Sequence, residues 1–379
     1  MISPTTSAKT LLRELVALPS VHPEADAGGT AQGESAMAGW IADYLRRLGA
    51  EVSTRALAPG RPNVIGIFEP TLKATATVGF APHLDTVGVA GMTVPPFRLT
   101  TNRGRLLGRG ACDTKGPTAA LLAALTKWVN SRARKTSHIR WMVVATAGEE
   151  QGSLGAQALV KSGLQADFIV ALEPTNLAVV HAGKGILRIW IEVPGRAAHG
   201  ATPERGTNAV YQALPMLRVL REELAPYFAT RRHRVLGGCS LNLGVVQGGH
   251  ELNIVPDQCR LGLDIRLHPG LPAADALARI RRAMARHAPS ATLRVHRTGP
   301  AFVTDRSNLW AKRLRQSGRG WDVADWFCDA NVFAAAGIPA VAFGPGSIAQ
   351  AHTRNEFIRE RELDAGTLAF SRFLATGSE

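Results

Sequence analysis

Five short segments of this chain place acids or imidazoles where an apolar run ends, an unusual position for groups that prefer water. His83-Leu84-Asp85 sets an imidazole and a carboxylate two residues apart. In extended backbone both point the same way, so Asp85 can fix the tautomer of His83. Asp113 lies in a glycine-rich turn between Gly108 and Gly116. Glu149 and Glu150 form a carboxylate pair preceded by Thr-Ala-Gly, and Glu173 sits in Ala-Leu-Glu-Pro-Thr. His352 closes a turn-rich loop that opens at Gly344. Such a set points to metal ligation and general acid–base chemistry. Each member has a plainer reading when taken singly: a lone histidine is usually structural, and adjacent glutamates usually start a solvated helix. Their shared position after apolar strands weighs against that. The glycine-rich turn lacks the G-x-x-x-x-G-K-[ST] spacing of a phosphate loop, and no G-x-S-x-G elbow offers a serine nucleophile. Cys112, with no histidine at a suggestive spacing, reads as packing.

The elements that must hold these groups alternate. Residues 36–48 read as a helix closed by Gly49, 75–82 as a buried strand ending at His83, and 117–129 as a buried helix opening with proline. A strand at 139–146, a helix near 153–162 and a strand at 168–172 running into Glu173 follow. This βαβαβ succession implies a largely parallel sheet covered by helices, whose strand ends are the usual ligand edge. The style then changes: a strand at 186–193, a helix at 208–224, strands at 239–246 and 259–267, a helix at 273–287 and a strand at 291–297. That order is the βαββαβ of a ferredoxin-like unit. The first style returns with a helix at 307–316, a strand at 340–345 and a terminal helix at 360–375. The expected organisation is therefore a three-layer α/β catalytic domain from 1–181 and 298–379, with an α+β domain at 182–297 inserted into it.

Composition sets the outer limits. Hydrophobic residues at 45% and charged residues at 20% suit a globular chain of 379 residues with a sizeable core. No stretch approaches the roughly 18 unbroken apolar residues of a membrane span. In the first twenty residues Leu11, Leu12, Leu15 and Val16 are interrupted by Arg13 and Glu14, the spacing of an amphipathic helix ended by Pro19 rather than of a secretion leader. Four scattered cysteines without a C-x-x-C pair fit a reducing cytoplasm. The net charge of +14 is spread along the chain, and its short basic runs lack interleaved aromatics, which argues against a nucleic-acid partner.

The motifs HLDTV (83–87), GRGACDTKG (108–116), GEEQGS (148–153), ALEPTN (171–176), GRAAHGATPERGTNA (195–209), ELNIVPDQCRLGLDIR (251–266) and FGPGSIAQAHTRNEF (343–357) run through essentially the whole chain. In them the chain resembles the two-zinc family of acetylornithine deacetylase, succinyl-diaminopimelate desuccinylase, aminoacylase and carboxypeptidase G. Its motifs are closest to acetylornithine deacetylase, which would place it in arginine biosynthesis. The resemblance implies that Asp113 bridges two metals, with His83 and Glu173 completing one site and Glu150 and His352 the other. It makes Glu149 the catalytic base, with Asp85 supporting His83. His199 resembles the family's oxyanion-stabilising histidine, often supplied across a dimer. Arg266 and Asn253, with Gly344 in the loop before His352, resemble its substrate-binding residues.

Two histidines and carboxylates suit Zn²⁺, and such paired sites also accept Co²⁺ or Mn²⁺. Two such ions against three ligand carboxylates favour a bridging hydroxide, with Glu149 moving the proton. The expectation is a cytoplasmic, homodimeric amidohydrolase that removes an acetyl or succinyl group from an N-acyl amino acid. A metallo-carboxypeptidase or dipeptidase on the same site is the alternative, and a non-catalytic basic binding protein is a more distant one. Segment 320–331 departs from the family pattern and bears on the substrate pocket.

Overall fold

The computed structural model describes residues 6–25 and 33–378, so the first five residues of the N-terminal segment lie outside it. Contacts divide the chain into two compact units. One holds the chain up to His181, Val303–Val323 and Cys328 onward; the other holds Ala182–Phe302 and Ala324–Phe327.

The first unit is built on a nine-stranded sheet. Its four central strands, Ile139–Ala145, Ala76–Ala81, Phe168–Ala171 and Ala340–Ala342, lie side by side in that order and run parallel. Antiparallel strands flank them: Arg61–Phe68 and Glu51–Ala58 on one side, Val179–Gly183 on the other. The run IRWMVVA is apolar without alternation because both faces of its strand are covered. Trp141, Val143 and Ala145 join the large core with Phe80, Phe370 and Phe373, whereas Met142 and Val144 pack with Ile65 and Leu159. Over the larger core the helix Lys115–Val129 packs against both Ala8–Val16 and Glu360–Ala375. Leu11, Leu12, Leu15 and Val16 are the buried stripe of the first helix, which ends before Pro19 as expected. The helix Lys115–Val129 begins two residues earlier than expected, with Pro117 inside its first turn.

The second unit follows the βαββαβ order. Strand Gly185–Pro194, helix Ala209–Val219, strands Ser240–Gly248 and Gln258–Leu267, helix Ala273–His287 and strand Thr292–Gly299 occur in sequence. All pair antiparallel, with the second strand at one edge, then the third, the first and the fourth, which is the ferredoxin-like arrangement. The helix expected at 208–224 runs on through a π-helical turn, Leu220–Leu224, into Ala225–Thr230.

Two of the elements that went unread in the sequence have a plain cause. The hairpin Glu51–Phe68 has a largely exposed outer strand, so it carries no apolar alternation. A small sheet joins Thr100–Asn102, Arg105–Leu107 and Phe357–Arg359, strands too short to show a period. Among the described residues no helix is long and apolar enough to cross a membrane.

Candidate metal centre

The four central parallel strands deliver the expected groups at one edge of the sheet. His83 and Asp85 follow Ala76–Ala81, Glu149 and Glu150 follow Ile139–Ala145, Glu173 follows Phe168–Ala171, and Gly344 follows Ala340–Ala342. Asp113 comes from the turn just before the helix Lys115–Val129.

Two overlapping sets of donor atoms result: His83, Asp113 and Glu173, and Asp113, Glu150 and His352, each with its atoms within 4.8 Å of one another. Asp113 belongs to both because its oxygens face opposite ways. Oδ1 lies 3.0 Å from His83 Nε2 and Oδ2 lies 3.4 Å from His352 Nε2. His352 Nε2 is also 3.0 Å from Glu150 Oε1. These separations approach the edge, roughly 3.4 Å, of a tetrahedron built on metal–ligand bonds of about 2.1 Å. His83 and Asp113 are buried, whereas the His352 side chain is half exposed and leaves that flank open.

The electrostatics favour positive charge among these groups. Burial, with Glu173 and Glu150 beside it, raises the Glu149 carboxyl well above the ordinary range. Burial and then Asp113 do the same for Glu173. Hydrogen bonds to Asp113 and Glu150 raise His352 to about 10. Burial opposes charge on His83, yet Asp113 and Asp85 overcome it and hold that imidazole well above its ordinary value. Crowded, desolvated carboxylates thus pull positive charge onto both histidines, and the N/O donor set is one that Zn²⁺ accepts.

Asp85 has partners besides the His83 ring. His83 Nδ1 lies 3.0 Å from the Asp85 backbone carbonyl and 3.6 Å from its carboxylate. The carboxylate oxygens also accept the backbone N–H groups of Glu149 and Glu150, each at 3.0 Å. Gly344 donates its N–H to Thr175 Oγ1 and accepts from the N–H groups of Thr175 and Leu177. A Cβ there would lie 2.7 Å from the Glu173 carbonyl, so glycine is required for this approach.

A further acid, Asp329, was missed. It opens the helix Asp329–Ala335 inside the divergent segment, is buried, accepts from Thr146 Oγ1, and acts electrostatically on both Glu149 and Glu173. Its only local signal is an acid at a helix start.

The remaining expected residues lie in the second unit. His199 pairs with Ile254 as an isolated bridge, and the Gly200 N–H donates to the Asn253 carbonyl at 2.7 Å, which brings His199 and Asn253 together. His199 is exposed, and its Nδ1 accepts from the Ala201 N–H. Arg266 is held by Asp264 through Nε at 2.7 Å, and Arg188 reaches the other oxygen of Asp264, also at 2.7 Å.

Comparison with known proteins identifies the family. The model of peptidase family M20/M25/M40 matches residues 79–376. The chain is 32% identical over 376 residues to a protein of Myxococcus xanthus named acetylornithine deacetylase, covering 93% of this chain and 92% of that one. An M20 family metallo-carboxypeptidase from Sulfolobus solfataricus superposes with a TM-score of 0.83 at 17% identity, covering 99% of this chain and 100% of that one. A tripeptidase from Staphylococcus aureus does so with a TM-score of 0.81 at 22% identity, covering 100% and 99%. With acids and imidazoles gathered at one sheet edge and a family match across most of its length, the chain belongs to peptidase family M20/M25/M40 and is a hydrolase acting on amides.

Proposed function

We propose that the chain removes an acetyl or succinyl group from an N-acyl amino acid. The observation that carries this reading is Asp113, shared between two donor sets with Glu149 alongside. In it His83, Asp113 and Glu173 hold one divalent ion and Asp113, Glu150 and His352 the other, Zn²⁺ first, with Co²⁺ or Mn²⁺ tolerated. When bound, two such ions lower the pKa of water and polarise an amide carbonyl. Glu149 takes the proton of the attacking water and returns it to the leaving amine, a task suited to a carboxyl whose proton affinity burial has increased. His199 serves the oxyanion, while Arg266, Asn253 and Gly344 serve the substrate. Asp264 preorients the Arg266 guanidinium for a carboxylate.

The full-length similarity to a protein named acetylornithine deacetylase supports deacylation and a place in arginine biosynthesis. The likeness to a metallo-carboxypeptidase and a tripeptidase keeps peptide hydrolysis as a second reading. Four free, buried cysteines suit a reducing cytoplasm. In the second unit Tyr211 and Leu214 on a helix, and Val245 and Val246 on the edge strand Ser240–Gly248, expose apolar surface that a second copy would cover.

A panel of N-acetylornithine, N-acetylglutamate, N-succinyl-diaminopimelate and simple dipeptides, run on zinc-reconstituted protein, tests the reading. Turnover of an N-acyl amino acid is expected. Hydrolysis of the dipeptides alone would transfer the assignment to a peptidase.

A further inference from the structure

The turn that carries Glu149 and Glu150 is held by more than Asp85. Thr146 still pairs with His83, its N–H donating to the Pro82 carbonyl; beyond it four consecutive backbone N–H groups have no strand partner and need others. Ala147 donates to Asn63 Oδ1 at 2.9 Å and Gly148 to Glu34 Oε1 at 3.0 Å, before Glu149 and Glu150 donate to Asp85. Every one of the four is captured by a side chain from elsewhere in the chain. The carbonyls are fixed as well: Ala147 accepts from the Gly155 N–H, Gly148 from Leu154, and Glu149 from Gly152 and Ser153.

Glu34 and Asn63 are themselves immobilised. Glu34 is fully buried and gripped by the Arg61 guanidinium, Nε to Oε2 at 2.9 Å and the terminal nitrogen to Oε1 at 2.7 Å. Asn63 is buried and donates through Nδ2 to the Gly155 carbonyl at 3.1 Å. Gly148 has a φ of +70°, and a Cβ on it would lie 2.7 Å from the terminal nitrogen of Arg61. The guanidinium therefore packs directly against the turn, and a side chain there would have to displace it.

A buried ion pair is a poor source of stability, because desolvation offsets much of its attraction and well-packed apolar residues often serve as well. The Glu34–Arg61 pair does something an apolar pair cannot: it presents a charged acceptor, locked in place, to one particular N–H. We infer that Glu34, clamped by Arg61, and Asn63 are positioning residues that set the direction of the Glu149 and Glu150 side chains. The inference rests on the proposed roles of those two glutamates. Rotating the peptide plane at Gly148 turns the Glu149 Cα–Cβ bond and swings Glu150 away from the Asp113 and His352 donors.

The test uses the full-length chain, stripped of metal and titrated calorimetrically with Zn²⁺, together with thermal melting and steady-state kinetics on the best substrate of the panel. The double variant Glu34→Met/Arg61→Met removes both charges and leaves the Gly148 N–H unpaired; Asn63→Ala removes the neighbouring acceptor. Both are expected to melt cooperatively. In each, one of two zinc sites should weaken by about 10- to 100-fold, the range seen when outer partners of a metal ligand are lost. The site formed by His83, Asp113 and Glu173 should hold. With saturating zinc kcat should fall by about tenfold or more while KM changes little, since a displacement on the order of 1 Å is that costly.

Unchanged zinc affinity and kcat in the folded double variant would overturn the inference, as would equal weakening of both sites, or a rise in KM alone. Failure of the double variant to fold would assign the pair to stability and remove Glu34 from the proposal. If the wild-type chain hydrolyses no N-acyl amino acid, the functional reading fails while the zinc titration still decides this one.

Discussion

Replacing Asp85 by asparagine separates two jobs open to the same side chain. The wild-type carboxylate is almost fully buried and accepts the N–H groups of Glu149 and Glu150 on separate oxygens, both at 3.0 Å. Asparagine keeps one acceptor and turns an amide donor toward the other N–H, leaving it unpaired. A buried unpaired N–H costs about 1–3 kcal/mol, and exchanging a charged for a neutral acceptor on the other bond costs about 1 kcal/mol more. Relief of repulsion with Asp329, whose carboxyl Asp85 helps to raise, recovers part of this. A net loss of about 2–3 kcal/mol corresponds to a fall in Tm on the order of 5–10 °C for a unit of this size. Because the two N–H groups belong to the glutamates, the zinc site that includes Glu150 should weaken first, and kcat should drop by roughly 10- to 100-fold. Circular-dichroism melting, zinc titration and kcat measured together provide the assay. If the variant loses zinc only at the site of His83, or keeps wild-type kcat, Asp85 acts on the imidazole and the reasoning from the backbone bonds is wrong.

Glu149→Gln should retain both zinc ions while kcat falls by a factor on the order of 10² or more; loss of zinc instead would mean that the roles of the two glutamates are exchanged. His199→Ala should slow turnover without altering zinc content, and unchanged turnover would remove the second unit from the chemistry. Val246→Asp, placing a charge on the exposed edge strand, should convert a dimer to a monomer in sedimentation velocity; a wild-type monomer would refute the dimer. His181 donates from Nδ1 to the Thr304 carbonyl and accepts at Nε2 from Arg306 Nε, both at 3.0 Å, so only the neutral ring satisfies both partners. Burial lowers its pKa below the ordinary 6.5, so in acid the unfolded chain binds the proton more readily. Its stabilisation is therefore complete above about pH 6.5 and is lost as pH falls through the folded value. Between about pH 7.5 and 5.5 the wild type should lose more Tm than His181→Gln, and equal losses would contradict the assignment.

Much of the fold is legible in the chain because burial writes itself into local periodicity. The uninterrupted apolar runs before His83, Glu149 and Glu173 announce strands covered on both faces, and the βαββαβ order of the second unit follows from the same reading. The hairpin Glu51–Phe68 escaped because its outer strand faces solvent and needs no apolar pattern. Motif by motif, the candidate residues are visible too: His83, Glu149, Glu150 and Glu173 by type and by position after strands, Asp113 and His352 through the motifs that carry the family resemblance.

What the sequence determined by itself was which groups are present and which strand or turn ends with each of them. Only the tertiary structure decided how they meet. Sheet order, which sets the strands before Glu149, His83, Glu173 and Gly344 side by side, comes from long-range packing that local periodicity does not encode. So does the split of Asp113 between His83 and His352. The same holds for the bonds from Asn63, Glu34 and Asp85 to four successive N–H groups. Every backbone N–H is alike in sequence, and its partner is chosen by where the rest of the chain brings an acceptor.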